Sequence, residues 1–174
     1  LVSAVDTPNL TNFCSNEKSL SLNKTSPTND PKDGKIIPIK AIFKKLKKLV
    51  GKTFIDPGSD QERNRGAALH RMVCETLGYN MYLDNGQFPD IRNQLLEIKI
   101  QTSPTIDLGL ISPDSMTPMD IEQINGANFR YCDVRYAIFY GTIEKGIVTI
   151  TNLILINGVD FFKRFQINRL NVYI

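Results

Sequence analysis

Hydrophobic positions along the chain recur with two different periods. Between residues 38 and 50 the spacing is helical: Ile39, Ile42, Phe43, Leu46, Leu49 and Val50 share one face, and Lys40, Lys44, Lys45, Lys47 and Lys48 take the other. Pro38 suits a first turn and Gly51 can end the helix. A second helix is expected over 60–77, capped by Ser59 or Asp60. Ala68, Leu69, Met72, Val73 and Leu77 form its buried stripe, and Gly78 marks its stop. Beyond it the period shortens to two. "YNMYL", "FPDI" and "NQLLEIKIQ" read as strands, as do the β-branched and aromatic runs "VRYAIFYGTI" and "GIVTITNLILI". "GVDFFKRFQ" closes with a short helix. The order helix, three strands, loop, two strands, helix predicts an α/β (α+β) sheet with helices on its faces. Residues 1–34, rich in Ser, Thr, Asn, Asp and Pro and without periodicity, read as a polar N-terminal arm or loop. Residues 35–174, with the basic helix 38–50, read as a single domain.

Composition narrows the class. The 174 residues suffice for one buried core, and no apolar run approaches the 18 or so residues of a membrane span, so no membrane partner is expected. The start, "LVSAVDTPNL", lacks Met and the layout of a signal peptide, and the end, "RLNVYI", stops in strand character; the chain reads as a piece of something longer. Three cysteines (Cys14, Cys74, Cys132) at wide spacings make neither a disulfide framework nor a zinc site. They point to a reducing cytosol, with Cys74 and Cys132 as buried thiols. The sequons at Asn9 and Asn23 are then chance matches. The net charge of +3 is local in origin: residues 35–52 hold seven of the 21 basic residues and no acid, leaving 14 basic against 18 acidic elsewhere. Such a patch suits a polyanion.

Two charges interrupt the apolar run "NQLLEIKIQ". Alternation places Leu96, Ile98 and Ile100 on one face and Leu95, Glu97, Lys99 and Gln101 on the other. A two-residue turn at Arg92–Asn93 would fold "FPDI" back so that Ile91 opposes Gln94 and Asp90 opposes Leu95. Asp90 then shares the charged face and lies diagonal to Glu97, roughly 7–8 Å away between backbones. A three-residue turn would reverse that parity. Two carboxylates without histidine or thiolate suit Mg2+, or Mn2+ in its place, with the Ile98 carbonyl as a further oxygen. A metal there lowers the pKa of a bound water, and Lys99 can orient or deprotonate that water and stabilise developing charge. The chemistry indicated is phosphodiester hydrolysis. The plainer alternative is a surface salt bridge between Glu97 and Lys99 on a solvated sheet face.

The run Pro89-Asp90 followed by Glu97-Ile98-Lys99 resembles the PD-(D/E)xK nuclease superfamily, which includes many type II restriction endonucleases. The likeness covers roughly residues 60–165: a helix before the motif, a strand pair carrying it, then a further strand and helix. It implies a restriction-endonuclease-like core, a mixed central sheet of about five strands flanked by helices. By the same likeness Asp90 and Glu97 are the metal ligands and Lys99 the catalytic lysine, with Gln101 near metal-bound water or the phosphate. Glu62 and Glu75 are candidates for an additional helix acid. A bacterial or archaeal cytoplasmic enzyme acting on double-stranded DNA as a homodimer would follow.

Other residues are weaker candidates. Lys44, Lys45 and Lys48 could meet DNA phosphates, although an amphipathic helix with solvated lysines explains them too. Thr102, Ser103 and Thr105 follow the charged strand and could contact a phosphate, or could form a connecting loop. "QINGANFRY" at 123–131, with Gln123, Asn125, Asn128 and Arg130, is a candidate base-reading loop or an ordinary one. The lone His70 reads as a helix surface or boundary residue, with no GxSxG to make it part of a triad. Neither a P-loop nor GxGxxG is present. Two alternatives to a restriction endonuclease stay open: a structure-specific repair or recombination nuclease of the same fold, and a DNA-binding module that does not cleave.

Overall fold

A lysine-rich face and an apolar face cannot both be solvated at low cost, and the chain resolves this by docking the segment as a helix. In a computed structural model of the chain, α2 (Ile39–Leu46) continues as a 3-10 turn over Lys47–Leu49, burying Ile39, Ile42, Leu46 and Leu49. Pro38 is its N-cap. Val50, expected on the same face, lies past the helix end and is exposed. The structure describes all residues except 1, 18, 19, 57, 59–61, 107, 169, 170 and 174, and only the backbone of 62, 63, 167, 168 and 171–173. The second helix, α3 (Glu62–Leu77), packs Leu69, Val73, Cys74 and Leu77 with the buried face of α2. Its expected caps, Ser59 and Asp60, lie outside the described residues.

The fold is mixed α and β. Four strands, β1 (Thr53–Ile55), β2 (Leu96–Gln101), β4 (Arg135–Glu144) and β5 (Ile147–Asn157), form a sheet in the order β1-β5-β4-β2. β2 runs parallel to β4, and the other pairs are antiparallel. A separate small sheet joins β3 (Thr105–Ile106), β7 (Asn171–Tyr173) and β6 (Gln166–Asn168). The sheet of about five strands is thus a four-stranded sheet with a small companion. One sheet face packs on α2 and α3 through Leu96, Ile98, Phe139 and Leu155. The other face covers Tyr136, Ile138, Ile156 and the short helix α4 (Phe161–Arg164) through Phe161 and Phe165. A register shift at Tyr140/Gly141 leaves no β4 residue opposite Thr151, whose hydroxyl donates to the Tyr140 carbonyl at 3.2 Å, so this hairpin carries a bulge that strengthens its twist.

Two expected strands are absent. "YNMYL" is irregular: the buried Tyr79 is held by its hydroxyl to Asn93 Oδ1 at 2.8 Å, while Met81 and Leu83 are exposed. "FPDI" contributes a single antiparallel bridge, Ile91 to Leu96. Pro89 has no N–H to give a ladder, which limits pairing to that one residue. The described residues of the polar segment 1–34 are irregular apart from α1 (Pro8–Thr11), yet Leu10, Phe13 and Leu22 are buried. Asp6 Oδ2 accepts from Ile39 N at 2.8 Å and Asp6 Oδ1 pairs with the fully buried Arg135 at 3.3 Å. Among the described residues no helix is long and apolar enough to cross a membrane. Cys74 and Cys132 are buried free thiols, and burial pushes the Cys74 thiol up to about 12.

Candidate active site

The link between Asp90 and Glu97 decides whether they can meet, and it is built from polar residues that serve other segments. Gln94 is buried and its amide bridges two backbones, accepting from Ile37 N at 2.7 Å and donating to Lys35 O at 2.9 Å. Asn93 N donates to Pro27 O at 3.1 Å, and Arg135 Nη2 donates to the Gln94 carbonyl. Held this way, Arg92–Gln94 forms a 3-10 turn, and Leu95, at φ +48°, swings the chain into β2. The loop therefore has four residues between Ile91 and Leu96, where a two-residue turn was expected, and β2 begins at Leu96. Both lengths are even, so the parity survives. The longer loop shifts the register by two and sets Asp90 level with Glu97, closer than the diagonal placement.

The two acids interlock. Asp90 N donates to Glu97 Oε2 at 3.1 Å, and Ile98 N donates to Asp90 Oδ2 at 2.8 Å. Lys99 Nζ lies 3.0 Å from Glu97 Oε1. A strand residue points its N–H and C=O toward the same edge. Because Ile98 N–H turns to Asp90, the Ile98 carbonyl also faces the outer edge of β2, where Asp90 sits. The Glu97 side chain is 7% exposed, against 30% for Lys99. The Glu97–Lys99 ion pair of the plainer alternative is present, but its carboxylate is buried and not on a solvated sheet face. The Asp90 carboxyl is pushed up to about 7, by burial first and by the Glu97 carboxylate second; the Ile98 N–H and Lys99 act in the opposite direction. Once Asp90 is ionised, one ammonium stands beside two shielded carboxylates, and a cation would offset the remaining negative charge.

Beyond Lys99, β2 borders a cleft of about 370 Å³ whose walls include Arg65, Lys99, Gln101, Thr102, Ser103 and Thr105. The expected residues Lys99, Gln101, Thr102, Ser103 and Thr105 are thereby brought together. Lys44 and Lys48 are exposed and Lys45 half-buried on α2, and none of them lines this cleft. Glu75 pairs with Arg71 on the exposed side of α3 at 3.0 Å. The Glu62 side chain lies outside the described residues. At 123–131 a tight turn at Asn125 (φ +52°) and Gly126 (φ +79°) joins Ile124 to Ala127. Its Gln123 and Asn128 are exposed, whereas Asn125 donates to Asp33 and Arg130 is held by Asp133.

Two residues were misjudged or missed from sequence. His70, expected at the helix surface or boundary, is 5% exposed; burial holds its pKa below the ordinary range, and its ring lies 3.8 Å from Cys74 Sγ. Arg65, unremarked in "DQERNRGAALH", is a buried cleft residue; the signal was the adjacent Gly66, a costly choice inside a helix.

The donor set fits a hard divalent cation in kind, through the Asp90 and Glu97 carboxylates and the Ile98 carbonyl. Among the described residues no group of three or more His, Cys, Asp or Glu gathers to hold a metal. No family model, curated protein or solved structure matches the chain.

Proposed function

We propose that this chain is a metal-dependent phosphodiesterase and, more particularly, a DNA endonuclease of the restriction type. The observation that carries the reading is the interlocked Asp90, Glu97 and Lys99, with the Asp90 carboxyl raised by its own burial and, second, by the Glu97 carboxylate. The element order lends support: helix α3, the Asp90 segment, edge strand β2, parallel β4 and antiparallel β5 are in keeping with a restriction-endonuclease-like core.

Asp90, Glu97 and the Ile98 carbonyl would hold Mg2+, or Mn2+ in its place, and the bound cation would act as a Lewis acid on the phosphate. Glu97 fixes the Lys99 ammonium beside the substrate position, where it can hold a water and stabilise charge developing on phosphate oxygens. Gln101, buried on the same strand, offers an amide to the water or the phosphate. The partner would be double-stranded DNA, cut in both strands by a homodimer in a bacterial or archaeal cytosol. The test is incubation of mixed duplex DNA with Mg2+ or with chelator, beside Lys99→Ala. Discrete fragments that need the metal, and a loss of about 10²-fold or more in the variant, are expected. No cleavage with Mg2+, or cleavage untouched by the substitution, would overturn the reading.

A further inference from the structure

A buried guanidinium needs partners for its charge and for its five N–H groups. Arg65, 6% exposed on α3, satisfies three of them: Nε donates to Asp56 Oδ1 at 2.9 Å, Nη1 to Thr102 Oγ1 at 3.2 Å and Nη2 to Gly58 O at 3.4 Å. One hydrogen on each terminal nitrogen is left over by this count. A tie between α3 and the loop after β1 would need only Asp56, but the guanidinium reaches further and borders the cleft at the C-terminal end of β2. The described lining residues include two cations, Arg65 and Lys99, and no carboxylate. The hydroxyls of Thr102, Ser103 and Thr105 and the Gln101 amide add neutral donors. Gly66 forms part of the same wall, and a Cβ built there meets nothing within 4 Å, so its missing side chain is open cleft.

We infer that this cleft is a phosphate subsite and that Arg65 is the residue that places the DNA strand in it, next to the phosphate attacked at Asp90, Glu97 and Lys99. The inference rests on the nuclease reading and deepens it. Arg65 matches the ligand in shape, because a guanidinium engages phosphate oxygens through two N–H groups at once, and the flanking hydroxyls complete the shell. Asp56 Oδ1, paired with Nε, holds the fork in place before the strand arrives. Lysine cannot reproduce that fork.

The test uses duplex DNA with Ca2+, to observe binding without turnover, for the parent, Arg65→Lys, Arg65→Gln and Gly66→Leu, with fluorescence anisotropy at several salt concentrations. Thermal melting records which variants fold; Gly66→Leu fills the cleft with no clash at Cβ and serves if the Arg65 variants do not. Affinity is expected to fall about 10-fold or more in each folded variant, and the salt dependence to lose about one phosphate contact in Arg65→Gln. A purely structural Arg65 would leave that salt slope unchanged. Folded variants, Gly66→Leu among them, that bind and cleave like the parent would overturn the subsite and leave the nuclease reading standing. A parent that neither binds nor cleaves DNA would overturn both. Protection by inorganic phosphate that Arg65→Gln abolishes, without duplex binding, would assign the cleft to a free phosphate and overturn the strand-placing role.

Discussion

Asp90 keeps a carboxyl group where neither water nor a full complement of cations supports its charge. Its proton leaves at about 7, when an ordinary aspartic acid loses its proton near 3.8. The unfolded chain therefore releases this proton at lower pH than the folded chain does. Between those two values the folded state binds more protons, and stability falls as pH rises through that window. Asp90→Asn removes the effect while keeping an acceptor for Ile98 N–H and presenting a donor to Glu97. The variant is expected to gain on the parent by on the order of 3 kcal/mol in going from pH 4 to pH 8, read by chemical denaturation at each pH. Its cleavage activity should be lost throughout. Parallel stability curves for parent and variant would show that the Asp90 carboxyl is not raised. The parent's own activity should climb through pH 7 as Asp90 ionises and becomes a ligand. This acid, Glu97 and Lys99 were legible in sequence because a period of two sorts a strand's residues by face, and an even loop of either length keeps the sorting. His70 and Arg65 were not, since a helical position does not disclose whether a polar side chain faces water or a neighbouring strand.

Among the elements, β4, β5 and the two long helices follow their hydrophobic spacing closely, because each buries a continuous apolar face. The short strands diverged, while the short closing helix is present as α4. β1, β3, β6 and β7 are two or three residues long, below the length at which alternation is informative, and β1 and β3 pair with strands distant in sequence. "FPDI" shows the reverse, a pattern that suggests a strand where proline and a four-residue loop permit one bridge. Close approach between elements yields a sharper expectation at Gly158. A Cβ there would fall on the Pro113 carbonyl oxygen and lie 3.0 Å from both Cys132 Cα and Tyr131 O. All three are backbone atoms with little freedom to move aside. Gly158→Ala is expected to cost about 2 kcal/mol or more, seen as a lower denaturation midpoint. At Gly66, where the space is open, Gly66→Ala should instead add about 0.5–1 kcal/mol by helix propensity.

Across the whole molecule, the polar N-terminal segment is joined to the body by polar contacts that no local pattern reveals. Thr7 Oγ1 donates to Asp133 Oδ1 at 2.5 Å, Val2 N donates to Leu155 O at 2.9 Å, and Asp6 balances Arg135. Residues 6 and 135 are far apart in sequence, and their complementarity shows only in three dimensions. Asp6→Ala would leave a buried guanidinium without its counter-charge, at an expected cost of about 3–5 kcal/mol. A chain lacking residues 1–34 should lose its cooperative thermal transition, which melting of the shortened protein would check.

Arg135 has a consequence in time as well as in space. Its guanidinium joins Asp6, the Ile37 carbonyl and the Gln94 carbonyl, three segments made before it on the ribosome. Until it emerges, the loop that sets Asp90 beside Glu97 lacks one of its anchors, and β2 lacks its parallel neighbour. Contacts of such long range form late, after the entropy of closing large loops has been overcome. On the nuclease reading, a nascent chain would stay harmless to nucleic acid nearby until most of it had been synthesised.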